Sequence, residues 1–438
     1  MGTLTRRNFL YGAGAAGAAA GLAPMMRARA ATDSIEWWNP HGAPAFMAEW
    51  DQLLADFEAE TGVGVVNSIV GWGDLVPRLT QGAMSGTLPD IATGGSGFPQ
   101  IFASQGILAD VSDTLAAIEA SGSNVSGSAV LAASYEGKPY GVPRYTATNG
   151  VTFRTDILEA AGIEPPDPTG ERYAFSWEEF ADVCERLTNA PDRYALAAAG
   201  TTFDAEKVIW NFLVTNEATI LDENGNLAWE NDRTVETYRY LSDIFRRFAP
   251  PAIATYDLAA ANLAFMTGKA AMTYGDGDVH ADIESAQPDW LGSVRFMPSP
   301  VKSIRAGYGG GVTFMLPDGD NVAEAGSLAQ FLLRPDHLVR AIWPFRLLVT
   351  PATDTARQSE LLKSDPAVQR WAKVLDQMAA VGANLSGVAQ YHAASPEAGS
   401  IESSGILSKA MQKILVNDMD PEQAVMEATP ELQEILEG

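Results

Sequence analysis

The sequence predicts an α/β protein of two lobes, each a mostly parallel sheet flanked by helices, joined by several crossing segments. Three observations lead there. The 438 residues exceed what one hydrophobic core usually serves, so two bodies or more are expected. Strand and helix patterns alternate along the chain, the order that builds parallel sheets. The stretch Tyr135–Asp156 has the make-up of a passage between bodies. In it, Glu136-Gly137-Lys138-Pro139 is a turn that Gly and Pro favour. Tyr140–Pro143 is extended, because the residue before a proline is driven toward β geometry. Gly150–Arg154 is a second extended run, and Arg144–Asn149 between them is small and polar apart from Tyr145. A core strand would not spend so many positions on Thr, Ala and Asn; a crossing open to a cleft would.

Hydrophobic residues make up 46% of the chain, enough for full cores, which excludes a disordered protein. The net charge of −26 argues against nucleic acid or an anionic membrane face as partner and reads as a solubility charge. The single cysteine, Cys184, excludes an internal disulfide and a multi-thiolate metal site. It shares a helical face with Phe180, Val183 and Leu187, which predicts a buried thiol.

Residues 1–30 read as an export signal. Thr5-Arg6-Arg7-Asn8-Phe9-Leu10 resembles the twin-arginine motif, Gly12–Ala23 is a small apolar run, and Ala28-Arg29-Ala30 fits a small-x-small cleavage site. The apolar run is too short to span a bilayer. The segment carries four arginines and no acid, so the mature chain would carry −30. No cysteine near the cleavage site offers a lipid anchor. A periplasmic protein released near Ala30 is expected.

The elements follow in order. Ile35–Trp38 is a first strand, and Ala45–Glu60 an amphipathic helix with Phe46, Met47, Trp50, Leu53, Leu54 and Phe57 on one face, stopped by Gly62. Val63–Val70 is a strand broken by Gly71-Trp72-Gly73, after which Asp74 caps a helix to Met84. Leu88–Ile91 enters a short strand, followed by the flexible Thr93–Gly97 and a helix near Gln100–Gln105. Beyond the first crossing, Ser176-Trp177-Glu178-Glu179 is a capping box opening a helix to about Thr188. Helices are expected over Asp204–Thr215, Asn231–Phe248 and Leu258–Thr267. Ala270–Tyr274 is a strand running into Gly275-Asp276-Gly277-Asp278, and Val294–Met297 is another. Gly307–Gly311, leading into Val312–Leu316, reads as a second crossing, and Pro344–Pro351 as a third. The remainder is helical: Pro366–Val381, Gly405–Val416, and a helix capped by Asp420-Pro421 to Ala428.

This order of signals resembles the family 1 extracellular solute-binding proteins of ABC importers, carbohydrate type, the class of maltose-binding protein. The resemblance rests on Phe57–Gly62, Ser85–Ile91, Gly137–Pro143, Phe153–Leu158, Ala160–Ile163, Ser176–Phe180, Phe265–Met272 and Pro421–Ala424, in order and at fitting spacing over most of the mature chain. It implies the type II periplasmic-binding-protein fold. Each lobe is then discontinuous: residues 31–146 with 309–346, and 147–308 with 347–438. It implies a trap in which a small-molecule carbohydrate bridges both lobes and favours the closed state, which is presented to ABC permease subunits of the inner membrane. No cofactor is implied. Hydrolysis of ATP belongs to another subunit, for this chain has no G-x-x-x-x-G-K-[ST] loop.

A sugar presents hydroxyls and weakly apolar C–H faces, so its site wants aromatic platforms and convergent polar groups at strand carboxyl ends. The candidates are Trp38 and Asn39 at the end of the first strand, Trp72 between its glycines, and Tyr145 in the first crossing. Trp210, Asp276, Asp278, Trp343 and Arg346 complete the set. Each has a structural alternative. One of Trp37 and Trp38 must be core, and Trp210 sits on a helix that also has to pack. Asp278 can cap the helix near His280. It stands where the resemblance expects a tryptophan, so a carboxylate there takes hydroxyls or a cationic ligand instead of a stacked ring. Arg346 suits a planar oxyanion or a surface ion pair. Gly94–Gly97 replaces bulkier ligand-contacting positions and lets backbone approach a ligand, or is a plain loop.

Two rivals follow from the same residues. An exported carbohydrate-active enzyme could use Asp276 and Asp278 as its carboxylate pair. Against it, His41, His280, His337 and His392 have no metal-ligand spacing and no G-x-S-x-G elbow occurs. A binding protein for a polyamine or other non-sugar solute would suit the acidic corner. A monomer is expected from chain length and the lack of an association helix.

Overall fold

The computed structural model describes residues 34–437 apart from 96, 383, 384, 391, 393 and 394. The expected twin-arginine signal and its cleavage near Ala30 lie outside the described residues. Among the described residues, thirteen strands form two large sheets and a small hairpin. They are β1 (Ser34–Asn39), β2 (Gly64–Ile69), β3 (Ile91–Gly95), β4 (Ser134–Tyr135), β5 (Lys138–Pro139), β6 (Val142–Thr148) and β7 (Gly150–Arg154). Then follow β8 (Tyr194–Ala198), β9 (Ala270–Gly275), β10 (Val294–Met297), β11 (Gly307–Met315), β12 (Val349–Pro351) and β13 (Leu385–Ser386). The first sheet runs β12-β6-β11-β3-β1-β2, with β13 attached to β11; the second runs β10-β7-β9-β8. The predicted turn at Glu136-Gly137 closes the β4–β5 hairpin.

The sheets are mixed, where mostly parallel ones were expected. The pairs β1–β2, β1–β3, β8–β9 and β11–β13 are parallel. The strands that carry the chain between sheets pair antiparallel, and their direction of travel explains it. β6 leaves the first sheet where β11 enters it, so Thr148 lies opposite Gly309 and the two strands run in opposite senses. Likewise β7 enters the second sheet where β10 leaves it, with Val151 opposite Met297. Asn149 alone separates β6 from β7. The small polar run Arg144–Thr148, expected to be irregular, is strand: it is paired on one side by the glycines of β11 and on the other by β12. Gly150 is confined to glycine by its neighbour strand, since a Cβ there would lie 2.6 Å from the Met297 carbonyl oxygen.

Each sheet has its own core. The helix Pro44–Thr61 buries Phe46, Trp50, Leu53, Leu54 and Phe57, the face the spacing predicts, and Gly62 ends it at φ 77°. Burying side chains of this kind contributes about 1.5–3 kcal/mol each. Trp37 and Trp50 meet at 5.1 Å between ring centroids in the first core, and the Trp50 indole donates to the Ala341 carbonyl at 3.0 Å. The second core gathers Phe153, Trp177, Cys184, Trp210, Trp229 and Tyr274. The helix Trp177–Leu187 starts with the predicted capping box: the Glu179 amide donates to Ser176 Oγ at 3.1 Å and the Ser176 amide to Glu179 Oε2 at 2.8 Å. Cys184 is fully buried.

Phe345 packs in the first core, and Leu347 packs with Val294 and Phe296 of the second sheet. β12 then returns to pair with β6. The expected helix over residues 366–381 is two helices, Pro366–Arg370 and Ala372–Val381, and the last helix extends past Ala428 to Glu437.

Candidate functional site

At the first sheet, the carboxyl ends of β1 and β2 and the crossing strand β6 build one wall. Asn39 ends β1 and is fully buried. Its Nδ2 donates to Asn67 Oδ1 of β2 at 3.2 Å, and its Oδ1 accepts the His41 amide at 3.3 Å. This pins the turn that carries His41. The His41 ring lies 5.2 Å from Phe46, 5.4 Å from Trp72 and 5.1 Å from Phe345. Its Nε2 shares a hydrogen bond of 3.1 Å with the Tyr145 hydroxyl. Burial, then the nearby Arg144 charge, pull the His41 pKa down to about 3, so the ring is neutral at ordinary pH. Trp72 stays 36% exposed, an indole edge-on to His41 and available to a ligand.

Arg144, next to Tyr145, turns into the first core. It is 1% exposed, forms no ion pair among the described residues, and donates from Nη1 to Thr93 Oγ1 at 3.3 Å. Ring faces take the place of a counter-ion, with Phe314 at 4.6 Å and Trp37, Trp50 and Tyr145 each within 6 Å.

The opposite wall belongs to the second sheet. The corner after β9 places Asp276 and Asp278 at the start of the helix Val279–Ala286. Asp276 is held on both oxygens: Asn149 Nδ2 donates to Oδ1 at 2.6 Å and Lys207 Nζ to Oδ2 at 2.8 Å. Lys207 also donates to Asp204 at 3.0 Å. Burial opposes the lysine charge, but Asp276 and Asp204 overcome it and hold the ammonium protonated. The network runs on through buried groups. Asn211 donates to Asn149 Oδ1 at 2.8 Å and accepts the Tyr308 amide at 2.8 Å, while the Tyr308 hydroxyl donates to Glu402 at 3.1 Å. It therefore ties the first crossing, at Asn149, to the second, at Tyr308. The Asp278 carboxyl accepts no hydrogen bond from the described residues, while its backbone carbonyl accepts the Ala281 amide at 3.3 Å. Burial and then the Asp276 charge push its carboxyl above the usual range, and its charge reaches the Tyr145 phenol of the facing wall.

The other expected residues lie elsewhere. Trp38 is half-buried and donates from its indole to Glu36 at 2.9 Å. Trp210 is fully buried in the second core; it shares its helix with Lys207 and Asn211, which face the network instead. Arg346 lies over Trp343 at 4.6 Å and pairs with Asp365 at 2.8 Å. Asp365 in turn accepts the Ala367 and Val368 amides, so this ion pair clamps the third crossing to the helix Pro366–Arg370. A cavity of about 850 Å³ also borders the crossing strands, between Thr146–Thr148, Gly309–Gly311 and Leu385–Gly387. None of the nine expected residues, and no Trp, Tyr or Phe, lines it.

Sequence reasoning missed His41, Lys207, Asn149, Asn211, Tyr308 and Glu402. A signal existed for the helix pair, since Lys207 and Asn211 are one turn apart and share a face. Among the described residues, no group of three or more His, Cys, Asp or Glu could hold a metal ion.

A family model described as bacterial extracellular solute-binding protein matches residues 43–337. The Escherichia coli protein YcjN, by name an ABC transporter periplasmic-binding protein, is 20% identical over 417 residues, covering 92% of this chain and 93% of its own length. A solute-binding protein of an ABC transporter from Thermotoga lettingae, solved with α-D-tagatose, superposes with a TM-score of 0.74 at 20% identity. It covers 92% of this chain and 100% of its own. Maltose-bound MalE3 of T. maritima matches with a TM-score of 0.74 at 16% identity, covering 92% of this chain and 99% of its own.

Proposed function

The chain belongs to the bacterial extracellular solute-binding proteins, and on that premise we propose that it captures a carbohydrate between its two sheets and delivers it to an ABC permease. One observation carries this reading. Tyr145, which holds His41 beside Trp72 on one wall, lies within range of the Asp276 and Asp278 charges on the other, and Asn149 alone separates the strands β6 and β7 that cross between the walls. The Trp72 indole, 36% exposed, offers a flat face that sugar C–H groups pack on, and the Asp278 carboxyl offers acceptors for hydroxyls, while Tyr145, 4% exposed, packs with the first core and holds His41. Ligand contact with both walls would favour the closed arrangement. The sugars named with the structural relatives support the same class. The reading includes export by the amino-terminal signal, release near Ala30, action as a monomer in the periplasm, and lobes divided near residues 146, 308 and 346. Trp38, Asn39, Tyr145, Trp210, Trp343 and Arg346 serve it as supports of the walls, with Trp72, Asp276 and Asp278 in contact with ligand.

The test is a thermal-shift screen of sugars, polyols, sugar acids and polyamines on the exported chain, followed by calorimetry. A sugar or polyol that raises Tm and is recovered unchanged is the expected result. A shift with polyamines alone overturns the carbohydrate reading, and turnover of the bound sugar overturns the transport reading.

A further inference from the structure

The cavity of about 850 Å³ is a different space from the walls at Tyr145 and Asp278, neither of which lines it. Along β6, Tyr145 turns to His41, while Thr146 and Thr148 fall on the other face of the strand and line the cavity. Ser134, Thr350 and Arg357 bring the first body to it. Ala379, Gly382 and Gln390 bring the second, in whose cores Val381 and Val388 pack. The volume falls in the range of small-molecule sites, about 300–1,000 Å³.

The three glycines of β11 beside the cavity are not alike. A Cβ on Gly309 would lie 2.5 Å from Leu385, and one on Gly310 would lie 2.6 Å from the Tyr308 hydroxyl, so packing keeps both bare. Gly311 has no such neighbour. A Cβ there would meet only the Tyr145 carbonyl oxygen, at 3.9 Å, and its φ is not positive. Gly311 lies opposite Thr146 in register, so that Cβ would point with Thr146 into the cavity. Packing and φ both leave this strand position open to a side chain, and a glycine there lets a ligand lie against the backbone.

The walls are rich in hydroxyls. Ser134, Thr146, Thr148 and Thr350 line the cavity together with the Gln390 amide. Thr313 Oγ1 and Ser386 Oγ, of the same walls, are buried with no hydrogen-bond partner among the described residues, a cost that a ligand hydroxyl would remove. Arg357 and Glu136 bring one charge of each sign, so the field favours neither an anion nor a cation. No Trp, Tyr or Phe among the lining residues offers a platform for the C–H face of a sugar ring. These walls fit a neutral molecule that carries hydroxyls along its whole length and has no flat face.

We infer that this cavity is a second ligand site, and that it takes an open-chain polyol laid along Gly311, with its hydroxyls on Thr146, Thr148 and Gln390. An occupant that touches both bodies favours the arrangement that builds the cavity, so the site regulates the cleft from the other face of the crossing. The inference does not rest on the carbohydrate reading of the cleft.

Calorimetry with glycerol, erythritol, xylitol and mannitol tests it on the exported chain, on Gly311→Val and on Trp72→Ala. At least one polyol is expected to bind the wild-type protein. Gly311→Val should weaken that binding tenfold or more while Tm holds or rises, since valine suits a strand and fills the space. Trp72→Ala should leave it unchanged. If Gly311→Val fails to fold, Gly382→Leu fills the cavity from the second body, where the backbone is helical at φ −58° and a Cβ would lie 3.8 Å from Thr148 Oγ1. Polyol binding that survives the filling, or that is lost with Trp72, overturns the inference and puts the polyol in the cleft. No binding of any polyol overturns it as well, and a sugar that still raises Tm then leaves the carbohydrate reading standing.

Discussion

Gly97 and Gly399 touch backbone to backbone. A Cβ built on Gly399 would lie 2.5 Å from the Gly97 carbonyl oxygen, and one built on Gly97 would lie 2.8 Å from the Gly399 Cα. Gly97 lies two residues beyond Gly95, the end of β3 in the first sheet. Gly399 lies on the helix Pro396–Ser404, whose Ala398 and Ile401 pack in the second core. The contact therefore joins the two bodies at a point where neither tolerates a side chain. The obstacle is backbone and cannot rotate away, so a methyl group there must push the bodies apart.

Gly399→Ala is accordingly expected to hold the cleft open. Overpacking of this kind costs typically 1–3 kcal/mol, which corresponds to roughly 5- to 150-fold weaker ligand binding. Small-angle scattering should show a larger radius of gyration in saturating ligand than the wild-type protein has. Unchanged affinity and radius would mean that the contact plays no part in closure.

Trp72 and Trp210 should separate binding from folding. Trp72 is 36% exposed and Trp210 is fully enclosed by the second core. Trp72→Ala should leave Tm nearly unchanged and weaken sugar binding by an order of magnitude or so, since the lost ring is worth about 0.5–1.5 kcal/mol beyond its area. Trp210→Ala should cost about 3–5 kcal/mol of stability, while the fraction that stays folded binds with little change. Denaturant melts and calorimetry on both variants check this, and a reversed pattern would move the site away from Trp72.

What could be read from the chain follows the range of the interactions involved. Features set within a few residues were legible. The Ser176–Glu179 box, the buried face of the helix Pro44–Thr61 and the glycine-bounded corner at Asp276–Asp278 depend on local geometry and periodicity. Tyr145 stood out as the one aromatic ring of its crossing, beside the bulky Arg144, which turns into the first core. The network was not legible. Asp276 and Lys207 are 69 residues apart, Tyr308 and Glu402 are 94 apart, and no local pattern couples such pairs. His41 was hidden in a Pro–Gly turn, where a ring has no periodic context. On the helix Thr202–Thr215 the functional assignment went to the bulky Trp210, yet bulk is what a core consumes, and the polar Lys207 and Asn211 face the network. The antiparallel crossings were missed because alternating strand and helix says nothing about strands that arrive from the other sheet.

Removing the Lys207 ammonium should leave Asp276 and Asp204 in a buried site short of a donor. Lys207→Met is expected to cost about 3–5 kcal/mol, the usual penalty for breaking a buried pair from one side. Lys207→Met with Asp276→Asn should recover part of that loss, because the stranded charge is gone. A double-mutant cycle from urea melts measures the recovery. Strict additivity would show that the two side chains do not interact in the folded protein.

Stability should respond to pH in two opposed ways. Burial lowers His280 to about 4, although its Nδ1 lies 3.3 Å from the Leu347 carbonyl. In the unfolded chain a histidine titrates near 6.5. Between these values the unfolded state binds a proton that the native state refuses. The contribution is thus complete above about pH 6.5 and falls as pH drops toward 4, by on the order of 3 kcal/mol. Glu402 acts in the reverse sense. Burial raises it to about 7, partly offset by the Tyr308 hydroxyl and the Lys207 charge. An unfolded glutamate titrates near 4.3. The native state keeps its proton longer, so this contribution is complete below about pH 4.3 and is lost as pH rises toward 7. His280→Gln should lessen the slope of the acid arm of a plot of Tm against pH, which it shares with His41, and Glu402→Gln that of the neutral arm, which it shares with the buried Glu206. The slopes carry the information, since either substitution also shifts the whole curve. Should His280→Gln leave the slope between pH 4 and 6.5 unaltered, the native imidazole is taking up its proton as freely as the unfolded one, and the buried neutral ring is excluded.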